Sequence, residues 1–165
     1  MDDKNNKGLC PICSEEKQRE RLLVCRACYA RFAAEAGDYL VDEEKVLTFT
    51  AWVIAELSKV LGSLQVKLAH KTAEFKNLQD QVRDDARTQI RDILKGERVP
   101  EDTYKKAFDR KKEALWEKYE GNKVFSQMKG TERHIEAVKK ILETLQKETQ
   151  KRPTLALVEK AAVNE

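Results

Sequence analysis

"CPICSEEKQRERLLVCRACYARF", residues 10–32, contains all four cysteines of this 165-residue chain. They form two CxxC pairs, Cys10 with Cys13 and Cys25 with Cys28. Each pair presents two sulfurs from one tight turn, and four thiolates complete the tetrahedral coordination that zinc prefers. The spacing therefore predicts one Zn²⁺ ion bound by these four cysteines. Because four protein ligands leave no coordination position for water or substrate, we expect this zinc to be structural.

The residues around the cysteines predict the local structure of the metal site. Pro11 restricts the first turn, and RLLVC (residues 21–25) has the pattern of a short strand. YARFAAEA (residues 29–36) predicts a helix with Cys28 in its first turn. This order of knuckle, short hairpin and helix resembles the treble-clef and zinc-ribbon class of four-cysteine zinc fingers. The resemblance covers residues 8–36 and departs from the class at Ser14, where such knuckles commonly carry glycine.

Three other chemistries use paired cysteines. Disulfides are one alternative, but nothing in the sequence is typical of a secreted protein. A redox dithiol of thioredoxin type needs a βαβ pattern, which the sequence lacks. An iron–sulfur cluster can use four cysteines, although the two-plus-two spacing suits a single metal ion better. We favour zinc over these alternatives.

The rest of the chain has the composition of long helices. Charged residues make up 37% of the sequence and aromatic residues 7%. Gly37 is expected to end the finger helix, and Asp42 to cap the next helix. Apolar residues then recur at steps of three, four and four, which predicts one helix of about fifty residues. The repeating positions are Val46, Phe49, Val53, Leu57, Val60, Leu64, Leu68, Phe75, Val82, Ala86, Ile90 and Ile93.

A returning helical segment follows the sequence GERVP, residues 96–100. Gly96 suits a helix end and Pro100 a helix start, so we predict the tip of a hairpin here. GNKVFSQMKGT (residues 121–131) breaks the apolar phase and predicts a kink or a short helix between loops. Arg152-Pro153 is expected to stop the last helix. The apolar stripes on either side of the break are Tyr104, Phe108, Leu115 and Tyr119, and then Ile135, Val138, Leu142 and Leu145.

These patterns predict a mostly α fold with three parts. Residues 1–37 form a small zinc finger. Residues 38–152 form a long, coiled-coil-like antiparallel helical hairpin with a helical bundle at its root and its tip near residues 96–100. Residues 153–165 are expected to be a weak helix or a mobile tail.

The sequence lacks the common catalytic motifs. It contains no phosphate-binding loop, no HExxH, no GxSxG and no glycine-rich dinucleotide turn. We therefore expect neither enzymatic activity nor a small-molecule substrate. The N-terminus is polar and charges interrupt the apolar stretch 46–68, so we expect no membrane insertion and a cytoplasmic location.

Two classes of binding function remain. A protein-docking adaptor is favoured by Trp52, Ile54 and Leu61, which lie off the main apolar stripe, although an internal core covered by the finger helix and the C-terminal helix is the more common reason for such residues. Nucleic-acid binding is the alternative, and the net charge of only +3 disfavours it. Its candidate contacts are Arg19, Arg21, Arg26 and Arg31 in the finger and Lys105, Lys106, Arg110, Lys111 and Lys112 in the returning helix.

The predicted architecture also bears on partners. A zinc finger joined to an antiparallel coiled coil is similar to the bacterial transcription factors that insert a hairpin tip into RNA polymerase. That similarity implies a regulator of the transcription machinery as a further form of the alternative function, although here the finger precedes the hairpin. The sequence leaves open whether the chain forms a homodimer.

Overall fold

The computed structural model describes residues 8–41 and 48–151. These residues form four helices, α1 (Arg26–Val41), α2 (Phe49–Leu94), α3 (Glu101–Lys118) and α4 (Gly121–Lys151), and no β-strand. The predicted mostly α fold is therefore confirmed. None of these four helices combines the length and the hydrophobicity that crossing a lipid bilayer requires. The predicted cap at Asp42, the stop at Arg152-Pro153 and the tail 153–165 lie outside the described residues.

The described residues divide into two compact units. One contains the residues up to Ser63 together with those from Ile135 onward, and the other contains Leu64–His134. The core of the first unit draws on α2 and α4, as expected for the root of the hairpin. Its buried helical side chains include Trp52, Val53, Leu57, Ile135, Val138, Leu142 and Leu145.

An aromatic cluster packs α1 against the start of α2 in the first unit. The ring of Phe32 lies 5.1 Å from that of Phe49 and 5.8 Å from that of Trp52, between centroids. Tyr29 completes the cluster, with its ring 5.5 Å from Phe49. Tilted and edge-on contacts of this kind add to the stabilisation that burial of the rings provides.

In the second unit, α2 runs antiparallel to the segments that follow it. Lys71 donates a hydrogen bond to Gln127, whereas Asp85, further along α2, accepts one from Tyr119. A later residue of α2 therefore contacts an earlier residue of the following segments, which is the pattern of an antiparallel pair. The core of this unit contains Val82, Ala86 and Leu115, with Leu78, Phe108, Trp116 and Tyr119 packed around it.

A turn joins α2 to α3 where the sequence predicted the hairpin tip. After α2 ends at Leu94, Lys95 and Gly96 adopt positive φ angles of 48° and 88°, and the N–H of Glu97 donates to the Leu94 carbonyl at 2.9 Å. Pro100 then lies at the N-cap position of α3. Glycine tolerates the left-handed conformation, and the fixed φ of proline suits a helix start, as the sequence indicated.

The phase break after Tyr119 is a turn between two helices. Glu120 has a φ of 53°, and α4 begins at the next residue and continues without interruption to Lys151. The predicted short helix between loops is therefore wrong, because residues 121–131 are the first turns of α4. Gly121 permits the tight connection, since a Cβ there would lie 2.2 Å from the Trp116 indole.

Two local predictions near the finger are also wrong. Gly37 does not end α1, which continues to Val41. A glycine in a helix costs only about 1 kcal/mol relative to alanine, which is too little to end a helix by itself. Residues 21–25 form no strand, and the described finger contains instead a single antiparallel bridge between Leu9 and Glu16.

Candidate metal centre

The first CxxC pair lies in a tight turn closed by backbone hydrogen bonds. The N–H of Cys10 donates to the Glu15 carbonyl at 2.7 Å, and the N–H of Ser14 donates to the Cys10 carbonyl at 2.8 Å. Ser14 adopts a left-handed φ of 61°, which turns the chain back on itself. This conformation explains why glycine is common at the position. The N–H of Lys17 also donates to the Gly8 carbonyl, which extends the backbone pairing around the turn.

The second CxxC pair lies at the N-terminus of α1. Cys25 immediately precedes the helix, and its Sγ accepts a hydrogen bond from the Cys28 N–H at 3.5 Å. This contact matches the position of an N-cap side chain. The N–H groups and the dipole at a helix N-terminus favour negative charge, which suits this position to a ligand of a metal cation.

The four sulfurs converge as the spacing predicted. The sulfurs of Cys10 and Cys28 are 3.8 Å apart, and those of Cys13 and Cys25 are 3.5 Å apart. All four lie within 4.8 Å of one another. Metal–sulfur bonds near 2.3 Å place tetrahedral ligands about 3.8 Å apart, so the arrangement fits one tetrahedral metal ion. The residues recognised from the sequence are therefore brought together in one candidate metal site.

The acidities of the thiols differ strongly within the cluster. Burial pushes the pKa of the Cys10 thiol upward, but hydrogen bonds from the backbone N–H groups of Cys25, Cys13 and Ile12 outweigh burial and lower this pKa to about 7. Burial, followed by the neighbouring sulfurs, raises the pKa of Cys28 far above its usual value. Burial also raises the pKa of Cys13. A bound metal cation would offset the burial and the repulsion between neighbouring sulfurs, because its charge stabilises all four as thiolates.

Comparison with protein-family models, with curated proteins and with solved structures finds no match to this chain.

The basic residues predicted as nucleic-acid contacts are mostly exposed but do not form one surface of α3. At about 100° per residue, Lys105 and Lys112 lie on one side of the helix, Lys106 and Arg110 on another, and Lys111 on a third. Lys112 covers the Phe108 ring, with its Nζ 5.4 Å from the centroid. In the finger, Arg19, Arg21 and Arg26 are exposed, whereas Arg31 pairs with Glu56.

The three residues predicted to dock a partner are in different environments. Trp52 is only 3% exposed and belongs to the aromatic cluster of the first unit. Its side chain therefore lies in the core, which is the alternative that the sequence left open. Ile54 and Leu61 are partly buried on α2, and their docking role stays a prediction.

Sequence reasoning missed the polar contacts that support the finger helix. Glu35 accepts a hydrogen bond from the Trp52 indole, and Glu56 accepts one from Arg31. The spacing of Arg31 and Glu35, four residues apart on one helix face, was the available signal. It identifies a face but not the helix that the face contacts.

Proposed function

We propose that this protein is a non-enzymatic, cytoplasmic adaptor that docks onto a protein partner through its zinc finger and its helical hairpin. Zn²⁺ bound by the four cysteines would hold the finger together. The convergence of the four sulfurs at tetrahedral separations carries this proposal. Four sulfur ligands saturate the ion, which suits a structural role and leaves it no position for a substrate.

The exposed apolar residues of the finger support docking to a protein. Leu9 and Leu22 are each 40% exposed, and Tyr29 on α1 is 55% exposed. Large apolar and aromatic side chains at a surface are typical of the centres of protein interfaces. The exposed arginines of the finger, by contrast, are accompanied by Glu15, Glu16 and Glu20, so the local charge is nearly balanced.

The metal assignment is tested by elemental analysis of the purified chain. We expect about one zinc per chain, released by a competing chelator, and a much weaker hold on zinc in Cys25→Ser. The control is Ser58→Ala, which changes an exposed hydroxyl of α2. A chain with its cysteines oxidised in pairs, or one that carries iron in place of zinc, would contradict the assignment.

The docking role is tested by affinity capture of the full chain from its own cells, with and without nuclease treatment. We expect a reproducible protein partner that survives nuclease and is lost when Leu22 and Tyr29 are replaced by serine. The control variant replaces Lys139 and Lys140, which are exposed on α4, by serine. Direct binding of random nucleic acid tighter than about 1 μM at physiological salt would favour the nucleic-acid alternative.

A further inference from the structure

An open groove lies between the end of α2 and the beginning of α3, within the second unit. Its volume is about 440 Å³, and apolar residues Ile90, Ile93, Leu94 and Val99 line it. Ile90 is buried, but Ile93, the next member of the same apolar stripe, is 64% exposed. The stripe of α2 therefore extends beyond the surface that α3 covers.

The groove is open because α3 presents small residues to it. Ala107 and Ala114 both line the groove and are seven residues apart, so they lie on one face of α3 two turns from each other. The larger apolar residues Phe108 and Leu115 belong to the core instead. A row of small residues beside an apolar stripe leaves space for the ridge of side chains of another helix.

The charged side chains that line the groove are basic. Arg110 and Lys111 line it from α3. A second cavity shares Leu94 and Tyr104 with the groove, so Tyr104 lies between the two. The charged residues lining this second cavity are Arg87, Arg91 and Glu97. Basic side chains thus line the groove, and they outnumber the acidic one in the adjoining cavity.

The segment that forms the groove carries a net positive charge. Residues 87–114 contain nine basic and six acidic residues, which gives +3, the net charge of the whole chain. The other residues contain 23 basic and 23 acidic residues, by subtraction from totals of 32 and 29. The positive charge around the groove favours an acidic partner.

We infer that this groove binds an acidic amphipathic helix of a partner protein, with apolar side chains against Ile93 and Tyr104 and carboxylates facing Arg110 and Lys111. The inference rests on the proposed adaptor function and adds the chemistry of the partner. Two copies of this chain meeting through their grooves would bring like charges together, which disfavours self-association here.

A nucleic acid fits the groove less well than a helix does. Binding of unpaired bases uses exposed aromatic faces as stacking platforms. The walls here are aliphatic, and the one aromatic lining residue, Tyr104, already stacks on Phe108 with their rings 6.3 Å apart and 9° from parallel.

The test uses a designed peptide of about 18 residues, five turns of helix, titrated into the zinc-loaded full chain labelled with ¹⁵N. The peptide carries leucines at helical spacing and glutamates on its other face. The comparison probes replace every glutamate by lysine, replace every leucine by serine, or substitute a random single-stranded DNA of similar length. We expect shift changes confined to residues 87–114, and affinity at least about tenfold higher for the acidic peptide than for the lysine peptide.

Two variants with matched controls locate the site. Ile93→Asp and the double reversal Arg110→Glu with Lys111→Glu should each weaken acidic-peptide binding by about tenfold or more. Val66→Asp is the control for the first, because Val66 is also on α2 and is 59% exposed. Lys139→Glu with Lys140→Glu is the control for the second, since both lysines are exposed.

Several results would overturn the inference. These are the absence of binding up to about 1 mM peptide, equal binding of the lysine peptide, equal losses in the control variants, and tighter binding of the DNA to the same residues. Peptide-independent dimerisation lost in Ile93→Asp would assign the groove to a second copy. If the peptide test fails while capture still yields a nuclease-resistant partner, the adaptor function stands and only the groove assignment falls.

Discussion

The indole N–H of Trp52 donates a hydrogen bond of 2.6 Å to the Oε2 of Glu35, which joins α1 to the start of α2. The guanidinium of Arg31 lies 5.1 Å from the centroid of the Trp52 ring and pairs with Glu56 of α2. Cys28 belongs to the same helix as Arg31 and Glu35. The segment with the candidate metal site and the long helix therefore share one aromatic and polar contact surface.

Removal of the metal should change the environment of Trp52. With Trp116→Phe as background, Trp52 is the only tryptophan. We expect a chelator to shift its emission to longer wavelength, because release of Cys28 loosens α1 and exposes the indole to water. Most of the helical circular dichroism should persist, since α2, α3 and α4 are stabilised by helix packing.

The matched control observes the other tryptophan. In Trp52→Phe, the emission comes from Trp116 in the second unit and should respond little to chelation. Unchanged Trp52 emission without metal would show that α1 holds its contacts on α2 independently of zinc. Complete loss of helicity would show that the helices themselves require the metal.

The left-handed backbone of Ser14 predicts how the first knuckle responds to substitution. An L-residue with this φ of 61° costs about 1–2 kcal/mol, whereas glycine adopts the conformation freely. Ser14→Gly should bind zinc at least as tightly as the wild type, and Ser14→Val should bind it more weakly because a β-branched residue is strained there. Competition with a chelator measures both affinities. Equal affinity of the serine and valine proteins would contradict the strain.

The helices and the cysteine cluster could be predicted from the sequence because both depend on local spacing. The cysteine pairs predicted that Cys10 and Cys28 meet in one candidate metal site although they are eighteen residues apart, and Gly96 with Pro100 marked the turn between α2 and α3. The incorrect extents of α1 and α4 have a different cause. At Gly37 a small propensity cost was taken for a helix end, and at Gly121 the local preference was read without the packing of Trp116 that explains it.

The groove at the hairpin tip could not be predicted in the same way. Ile93 continues the apolar stripe of α2, and Ala107 and Ala114 are ordinary helix formers in α3. Whether these residues form a groove depends on the register between the two helices, because the register decides whether a large or a small residue lies opposite Ile93. The spacing of residues within either helix does not predict that register.

Gly121 should be intolerant of even a methyl group. A Cβ at this position would lie 2.2 Å from carbon atoms of the Trp116 indole. Gly121→Ala must displace that ring, and overpacking of this kind costs about 1–3 kcal/mol. Urea unfolding followed by circular dichroism measures the loss.

The same helix supplies the control for this substitution. Gly130 also lies in α4, and a Cβ there meets no atom within 4 Å. Gly130→Ala should therefore raise stability by about 0.5–1 kcal/mol, through helix propensity alone. In a Trp116→Ala background, Gly121→Ala should lose most of its cost because the clash is gone. Equal effects of the two alanine substitutions in the wild type would refute the packing argument.

The hydrogen bond between Tyr119 and Asp85 should make the second unit sensitive to alkaline pH. The Tyr119 hydroxyl donates to Oδ2 of Asp85 at 2.7 Å, and this bond, then burial and the charge of Asp85, raises the pKa of Tyr119 above its usual value of 10.0. The folded chain thus keeps a proton that the unfolded chain releases near pH 10, so this contribution to stability is complete below about pH 10 and declines as the pH rises through the folded pKa.

Thermal unfolding, followed through Trp116 in a Trp52→Phe background, should show a steeper fall in Tm above about pH 10 than the same protein carrying Tyr119→Phe. Tyr29→Phe, which changes an exposed tyrosine of the first unit, should keep the steep fall, and identical slopes with and without Tyr119 would show that the hydrogen bond does not link folding to pH.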